Sequence, residues 1–137
     1  METKITSEKL VEQALVAREK AIAPYSNYTV GAALLTSDGT VITAGNIESS
    51  TYGLTLCAER VAMFSALADG YRDFEAIAIA TRNGGSPCGS CRQILWEFAG
   101  NIPVYLTDEN RNIEEAALLT LLPKPFDKSK LKTSLDL

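Results

Sequence analysis

Three cysteines and one glutamate concentrate the reactive chemistry of this sequence. Cys57-Ala58-Glu59 is followed, further on, by Pro87-Cys88-Gly89-Ser90-Cys91. These two pieces hold all three cysteines of the 137 residues, and there is no histidine. Three thiolates can occupy three corners around zinc and leave the fourth for water, the catalytic arrangement, whereas structural sites close all four. A fourth protein ligand would have to be a carboxylate, so the spacing favours an open, water-activating zinc. Glu59 is the base for that water. Two residues after Cys57, at the start of a helix, its carboxylate can face the open position without ligating the metal. Water on zinc ionises near neutral pH, which makes hydroxide available. A redox pair would not need the third cysteine, and a structural site would need a fourth ligand that the chain does not readily supply.

Both cysteine pieces fall where a loop or strand runs into a helix. Helices are predicted over 57–68 and 88–98 from apolar residues at helical spacing. Unpaired N–H groups and the positive end of the macrodipole gather at helix starts, and both lower a thiol's pKa. Three thiolates still exceed the charge of one zinc ion. Arg60, Arg92 and Gln93 are therefore candidates to donate to the sulfurs, with Arg60 the first choice.

The remaining elements must position these pieces. A first helix is predicted over 7–21, with Ser7 as its N-cap and Pro24 as its stop. Tyr25 to Tyr28 reads as a loop, 29–36 as a strand and 40–44 as its partner, joined by a hairpin turn at Ser37-Asp38-Gly39. The polar connection 45–53 is of a length that is usually either mobile or functional. A strand buried on both faces is expected over 74–80, and a glycine-containing loop over 81–87. A strand over 102–107, a turn at 108–110 and a helix over 113–121 complete the reading, with Glu114 and Glu115 in that helix's first turn. The order of helix, hairpin, helix, strand, helix, strand, helix predicts a three-layer α/β sandwich around a mixed sheet, in one domain spanning 1–137.

Bulk properties narrow the partners. The formal net charge is −4 and the pI about 4.8, which argues against a nucleic acid bound through its phosphates. The basic stretch Lys124 to Lys132 is broken by Asp127 and reads as a solvated tail. No apolar run approaches the ~20 residues of a membrane span, and the first residues lack a signal peptide's apolar core. An odd cysteine count with Cys-x-x-Cys spacing fits metal binding in a reducing compartment, so a cytoplasmic location is expected.

Four segments together resemble a known family. Tyr25-Ser26-Asn27-Tyr28-Thr29-Val30-Gly31-Ala32 is similar to a Tyr-Ser-x-Phe-x-Val-Gly-Ala segment, and Gly45-Asn46-Ile47-Glu48 to an Asn-x-Glu stretch. Cys57-Ala58-Glu59-Arg60 and Ser86 to Gln93 match without interruption. These are segments of the zinc-dependent nucleoside deaminases. Cys57, where others carry a histidine, resembles the small all-cysteine cytidine deaminases, and the likeness runs from Ala23 to Pro123.

The resemblance implies an α/β/α sandwich with a mixed five-stranded sheet and one Zn2+ per chain on Cys57, Cys88 and Cys91. It implies hydrolytic deamination of cytidine and 2′-deoxycytidine in pyrimidine salvage, with Glu59 carrying protons to N3 and to the leaving amine. Asn46 and Glu48 would hold the ribose, Tyr28 would lie over the base, and backbone groups near Ala58 would read the pyrimidine edge. A homotetramer is implied, with Phe126 reaching into a neighbour's site, although Phe126 also fits a plain anchor for the C-terminal tail. Tyr28 stands for the usual Phe, Thr29 for a frequent Pro, and Ser49-Ser50-Thr51 is unusually polar. These departures keep open a modified cytosine nucleoside as substrate. A silent zinc or nucleoside binder is a further alternative, and Glu59 argues against it because zinc binding alone does not need that carboxylate.

Overall fold

Alternation of alanine and isoleucine along 76–80 gives the central strand one small-residue face and one large-residue face and sets the layers. The computed structural model describes residues 5–131. The elements run α1 (Ser7–Ala17), β1 (Gly31–Thr36), β2 (Val41–Gly45), α2 (Ala58–Ala68), β3 (Phe74–Ala80), α3 (Gly89–Ala99), β4 (Pro103–Thr107), β5 (Ile113–Ala117) and α4 (Leu118–Leu121). The sheet order is β2-β1-β3-β4-β5. Only β3 and β4 pair in parallel; the other neighbours are antiparallel. The expected α/β sandwich with a mixed five-stranded sheet is the fold observed.

Ala32 and Leu34 of β1 and Ile77 and Ile79 of β3 pack with α2 and α3 residues such as Ala62, Met63 and Leu95. The opposite face of β3 offers only Ala76, Ala78 and Ala80, and there α1 brings Leu10, Val11 and Ala14. Small residues on that face let α1 approach closely. At Gly31 the approach is closest, since a Cβ there would lie 2.0 Å from the carbonyl oxygen of Ala14. Gly45 plays the same part beside Ala21, whose N would stand 2.4 Å from an added Cβ.

Beyond shifts of a residue or two at other element ends, the structure departs from the sequence reading at the cap and the end of the first helix and in segment 113–121. The first helix is capped by Thr6, whose hydroxyl accepts from the Lys9 N–H at 3.2 Å, and not by Ser7. Its α-helical part ends at Ala17 and tightens into a 3-10 turn over Arg18–Lys20. The chain then turns extended because Ile22 donates to the Asn46 carbonyl at 2.8 Å, pairing with the segment beyond β2. Segment 113–121 is the larger correction. Its first five residues form β5, paired with β4 from Ile113 opposite Thr107 to Ala117 opposite Pro103, and only Leu118–Leu121 is helical. Glutamate and alanine favour a helix in isolation, but the unpaired edge of β4 supplies a ladder that propensity does not outweigh. The turn that delivers the chain is closed by Asp108, whose carboxylate accepts from the Asn110 and Asn112 N–H groups.

The basic stretch is described as far as Leu131, with a 3-10 turn over Lys128–Leu131; Lys132 lies outside the described residues, as do Met1 to Lys4. Among the described residues no helix is long and apolar enough to cross a membrane.

Candidate active site

The three thiols meet where α2 and α3 begin. Cys57 and Cys88 are the N-cap residues of the two helices, each with extended backbone and with no hydrogen bond from its side chain to the helix. Their sulfurs are thereby free to face one another, 4.0 Å apart. Cys91 enters from the first turn of α3, and the three sulfurs all lie within 4.8 Å of one another. Cys91 is buried, Cys57 half-buried and Cys88 exposed. Sulfurs bound at ~2.3 Å to one tetrahedral ion stand about 3.8 Å apart, so the cluster has the span that zinc requires.

Glu59 sits in the first turn of α2 and is only 4 % exposed. Its Oε1 is buried with no hydrogen-bond partner, a costly arrangement unless a ligand or ion completes it. Burial pushes the Glu59 carboxyl up to about 7. The Cys57 thiol moves the other way, to about 5, chiefly through a hydrogen bond from Cys91 and then through Arg60. Cys91 is pushed up by that same bond and by burial. Arg60 holds its Nη2 3.9 Å from the Cys57 sulfur and 3.4 Å from the Thr55 carbonyl. Ala58 is fully buried between Cys57 and Glu59. Its N–H belongs to the helix's first turn, where donors lack intrahelical acceptors.

A cavity of about 310 Å3 opens onto Cys57, Glu59 and Cys88, with Tyr28, Asn46, Glu48 and Ser86 among its walls. Among the described residues no lysine or arginine lines it. Asn46 accepts from the Val30 N–H at 2.9 Å and donates to the Tyr28 carbonyl at 3.0 Å, so one amide hydrogen is left over. Glu48 accepts from the Tyr25 and Ser26 N–H groups at 3.0 and 3.1 Å and from the Ser26 hydroxyl. A carboxylate has about four acceptor positions, which leaves one toward the cavity. The Ser26 hydroxyl chiefly holds the Glu48 carboxyl below its ordinary range. Beyond Glu48 the cavity meets a second hollow of about 390 Å3, flanked by Tyr25 and Tyr52 in an edge-to-face pair 5.6 Å apart.

Two expected sulfur donors are engaged elsewhere. Gln93 uses both ends of its amide on the backbone of Phe126, donating to its carbonyl and accepting from its N–H. Arg92 donates to the carbonyls of Pro87 and Leu121 and to the Ser86 hydroxyl, bracing the loop before Cys88. Phe126 itself is 56 % exposed on the same face as α3, and the chain beside it is held by a bond from the Trp96 indole to Asp127 at 3.1 Å. Ser49 and Thr51 form a local turn, with the Ser49 hydroxyl accepting from the Thr51 N–H and Thr55 accepting from Ser49 N. The sequence reading missed Ser26 as the partner of Glu48, and Thr81, Gly85 and Ser86 as cavity walls. Ser26 and Ser86 lie inside matched segments, but what Ser26 holds and which residues face the cavity depend on segments distant in sequence.

Comparison with known proteins bears on the same residues. The family described as "Cytidine and deoxycytidylate deaminase zinc-binding region" matches residues 4–107. A cytidine deaminase of Sporosarcina psychrophila is 50 % identical over 127 residues, covering 90 % of this chain and 93 % of that protein. A cytidine deaminase of Halalkalibacterium halodurans is 47 % identical over 120 residues, covering 85 % and 91 %. The crystal structure of a cytidine deaminase from Burkholderia pseudomallei superposes with a TM-score of 0.86 at 46 % identity, over 89 % of this chain and all of that one. The matched region contains Glu59 and the whole thiol cluster, and the fold agrees as closely as the sequence, so this chain belongs to the zinc-dependent cytidine and deoxycytidylate deaminase family.

Proposed function

We propose that the chain is a cytidine deaminase, converting cytidine and 2′-deoxycytidine and water to the uridine forms and ammonia. The observation that carries this reading is the buried Glu59 carboxylate, its Oε1 without a partner, beside three clustered thiols. The donor set fits zinc: three soft sulfurs, all from helix starts, with an arginine near one of them. Cys57, Cys88 and Cys91 would hold one Zn2+ per chain. When bound, the ion supplies a water that is nucleophilic at neutral pH.

The chain's own residues do the rest. Glu59 takes a proton from the attacking water and delivers it to N3 as the water oxygen bonds to C4. It then carries the remaining hydroxyl proton to the exocyclic amine, the C4–N bond breaks, and ammonia leaves with C4 as a carbonyl. Burial suits Glu59 to this traffic by raising its affinity for a proton above that of an exposed carboxylate. The Ala58 N–H reads the pyrimidine edge, and the Tyr28 ring lies against the base. Asn46 and Glu48 hold the ribose through the one donor and one acceptor that their structural bonds leave over. Arg60 offsets part of the surplus thiolate charge at Cys57.

The walls favour the nucleoside over the nucleotide within the family's range. With Glu48 and Glu59 inside and, among the described residues, no lysine or arginine in its lining, the cavity would set a phosphate against negative charge. The same acidity speaks against a polynucleotide substrate. We assign the enzyme to pyrimidine salvage in the cytoplasm, acting as one domain over 1–137. We further propose a homotetramer in which Phe126 completes a neighbour's site; the exposure of Phe126, Tyr52 and Leu54 at 56, 72 and 70 % supports association.

The decisive experiment follows cytidine absorbance on adding the purified protein, with deoxycytidine, cytosine and cytidine monophosphate in parallel. Conversion of both nucleosides, with base and nucleotide untouched, is the expected result. Failure to convert either nucleoside, with about one zinc bound per chain, would overturn the assignment.

A further inference from the structure

Tyr28 carries one group that the proposed chemistry does not use, its phenolic hydroxyl, and the structure gives that hydroxyl a partner. Tyr28 Oη donates to Asn83 Oδ1 at 2.6 Å, joining residues 55 positions apart in the chain. Asn83 belongs to the loop 81–87, which leaves β3 and runs directly into Cys88. That loop is braced internally: the Thr81 hydroxyl accepts from the Gly85 N–H at 2.8 Å and lies 3.5 Å from Asn83 Oδ1. Asn83 also bridges to Asp108 beyond β4.

The contact is shaped on every side. The Arg82 guanidinium stands 5.4 Å from the centroid of the Tyr28 ring, within cation–π range. A Cβ on Gly85 would come within 2.9 Å of Tyr28 Oη, so the glycine leaves room for the hydroxyl. At its other end the Tyr28 carbonyl is held by Asn46, and its N–H donates to the Ser26 hydroxyl at 3.0 Å. Tyr28 therefore spans the cavity mouth from the Asn46–Glu48 side to the loop that leads into Cys88.

We propose that the Tyr28 hydroxyl is a positioning group: through Asn83 it ties the aromatic wall of the cavity to the loop that delivers Cys88, so ring and metal ligand are placed together. A phenylalanine here would stack as well but would leave the two sides of the cavity unlinked. The link preorganises the wall for an aromatic ligand lying against it, and restrains the loop when a metal is held by Cys88. This rests on the deaminase reading for its substrate and on the thiol cluster for its metal.

The test compares Tyr28→Phe, Asn83→Leu, Asn83→Asp and the Tyr28→Phe/Asn83→Leu double variant as zinc-loaded proteins. KM and kcat for cytidine are measured together with the rate of zinc transfer to a chromogenic chelator. Loss of the link should raise KM about three- to tenfold with a smaller change in kcat, and speed zinc release by a similar factor, the size of one hydrogen bond. Asn83→Asp keeps an acceptor and should stay near the parent in both. The double variant should be no worse than the worse single one, because both remove the same bond. Tyr28→Phe with parental KM or parental zinc release would overturn the proposal, as would additive effects in the double variant. A parent protein that turned over no cytidine would instead sink the deaminase reading, and the zinc-release comparison would then decide the link alone.

Discussion

Glu59 combines two demands that oppose each other in an ordinary carboxylate. It must be dry enough to hold a proton near neutral pH and close enough to the thiols to serve a water placed there. Its position in the first turn of α2, with 4 % exposure, meets both. Glu59→Gln should lower kcat by about a hundred- to ten-thousandfold, the usual worth of a positioned acid–base group, while zinc stays near one per chain by metal analysis. Arg60 acts one step further out. Arg60→Ala should weaken zinc affinity or activity by about ten- to a hundredfold, read by competition with a chelator and by turnover of cytidine. An Arg60→Ala protein matching the parent in both would show that the helix starts alone balance the thiolates. At this scale the sequence is most legible. Cysteine spacing and the Cys-Ala-Glu run are local patterns that a helix start converts to geometry, although the sheet must still bring the starts of α2 and α3 together to close the cluster.

At the scale of elements, helix α1 controls how closely the back layer packs on the sheet. An alanine at Gly31 would place its Cβ 2.0 Å from the Ala14 carbonyl oxygen, a clash with backbone that no rotamer relieves. Gly31→Ala should therefore cost about 3 kcal/mol or more in chemical denaturation, the upper range for overpacking. Gly39→Ala is a contrast, since nothing lies within 4 Å there and only its positive φ of 91° is strained. Strand β3 was readable because an apolar run with alternating alanine and isoleucine suits burial on both faces. Strand β5 was not. Ile113-Glu114-Glu115-Ala116-Ala117 has helical composition, and its ladder with β4 becomes available only after the Asp108 turn folds the chain back. Glutamates on this exposed edge also discourage pairing with another sheet, a common device for edge strands.

For the whole molecule, the metal should couple folding to function. Removing zinc with a chelator should lower the melting temperature and abolish activity together, and added zinc should restore both where magnesium does not. Acid should act through a separate set of groups. Arg111 holds Glu12, Thr36 holds Asp38, Ser26 holds Glu48, Asn112 holds Asp108 and Ser129 holds Asp127 below their ordinary values of 4.5 for Glu and 3.8 for Asp. Each depressed carboxyl contributes stability that is present above its unfolded value and is lost as pH falls through its folded value. The unfolding midpoint should therefore decline below about pH 4.5. Glu12→Gln, which removes the 2.7 Å ion pair between α1 and the turn before β5, should flatten that decline, as measured by melting at successive pH values.

The sequence by itself determined the chemistry and the layer plan, because both depend on residue type at short spacing: thiols and a carboxylate at helix starts, apolar periods of helix and strand. Tertiary structure decided the partners. Gln93 stood beside Cys91 in the sequence and was expected to serve a sulfur, yet its amide holds the Phe126 backbone 33 residues away. Glu48 was legible as a cavity carboxylate, but not as the group that pins Tyr25 and Ser26. The hydroxyl that distinguishes Tyr28 from phenylalanine was visible from the first, and its link to Asn83 was not. A hydrogen bond across 55 residues depends on where the sheet carries both loops, and no local pattern encodes that distance.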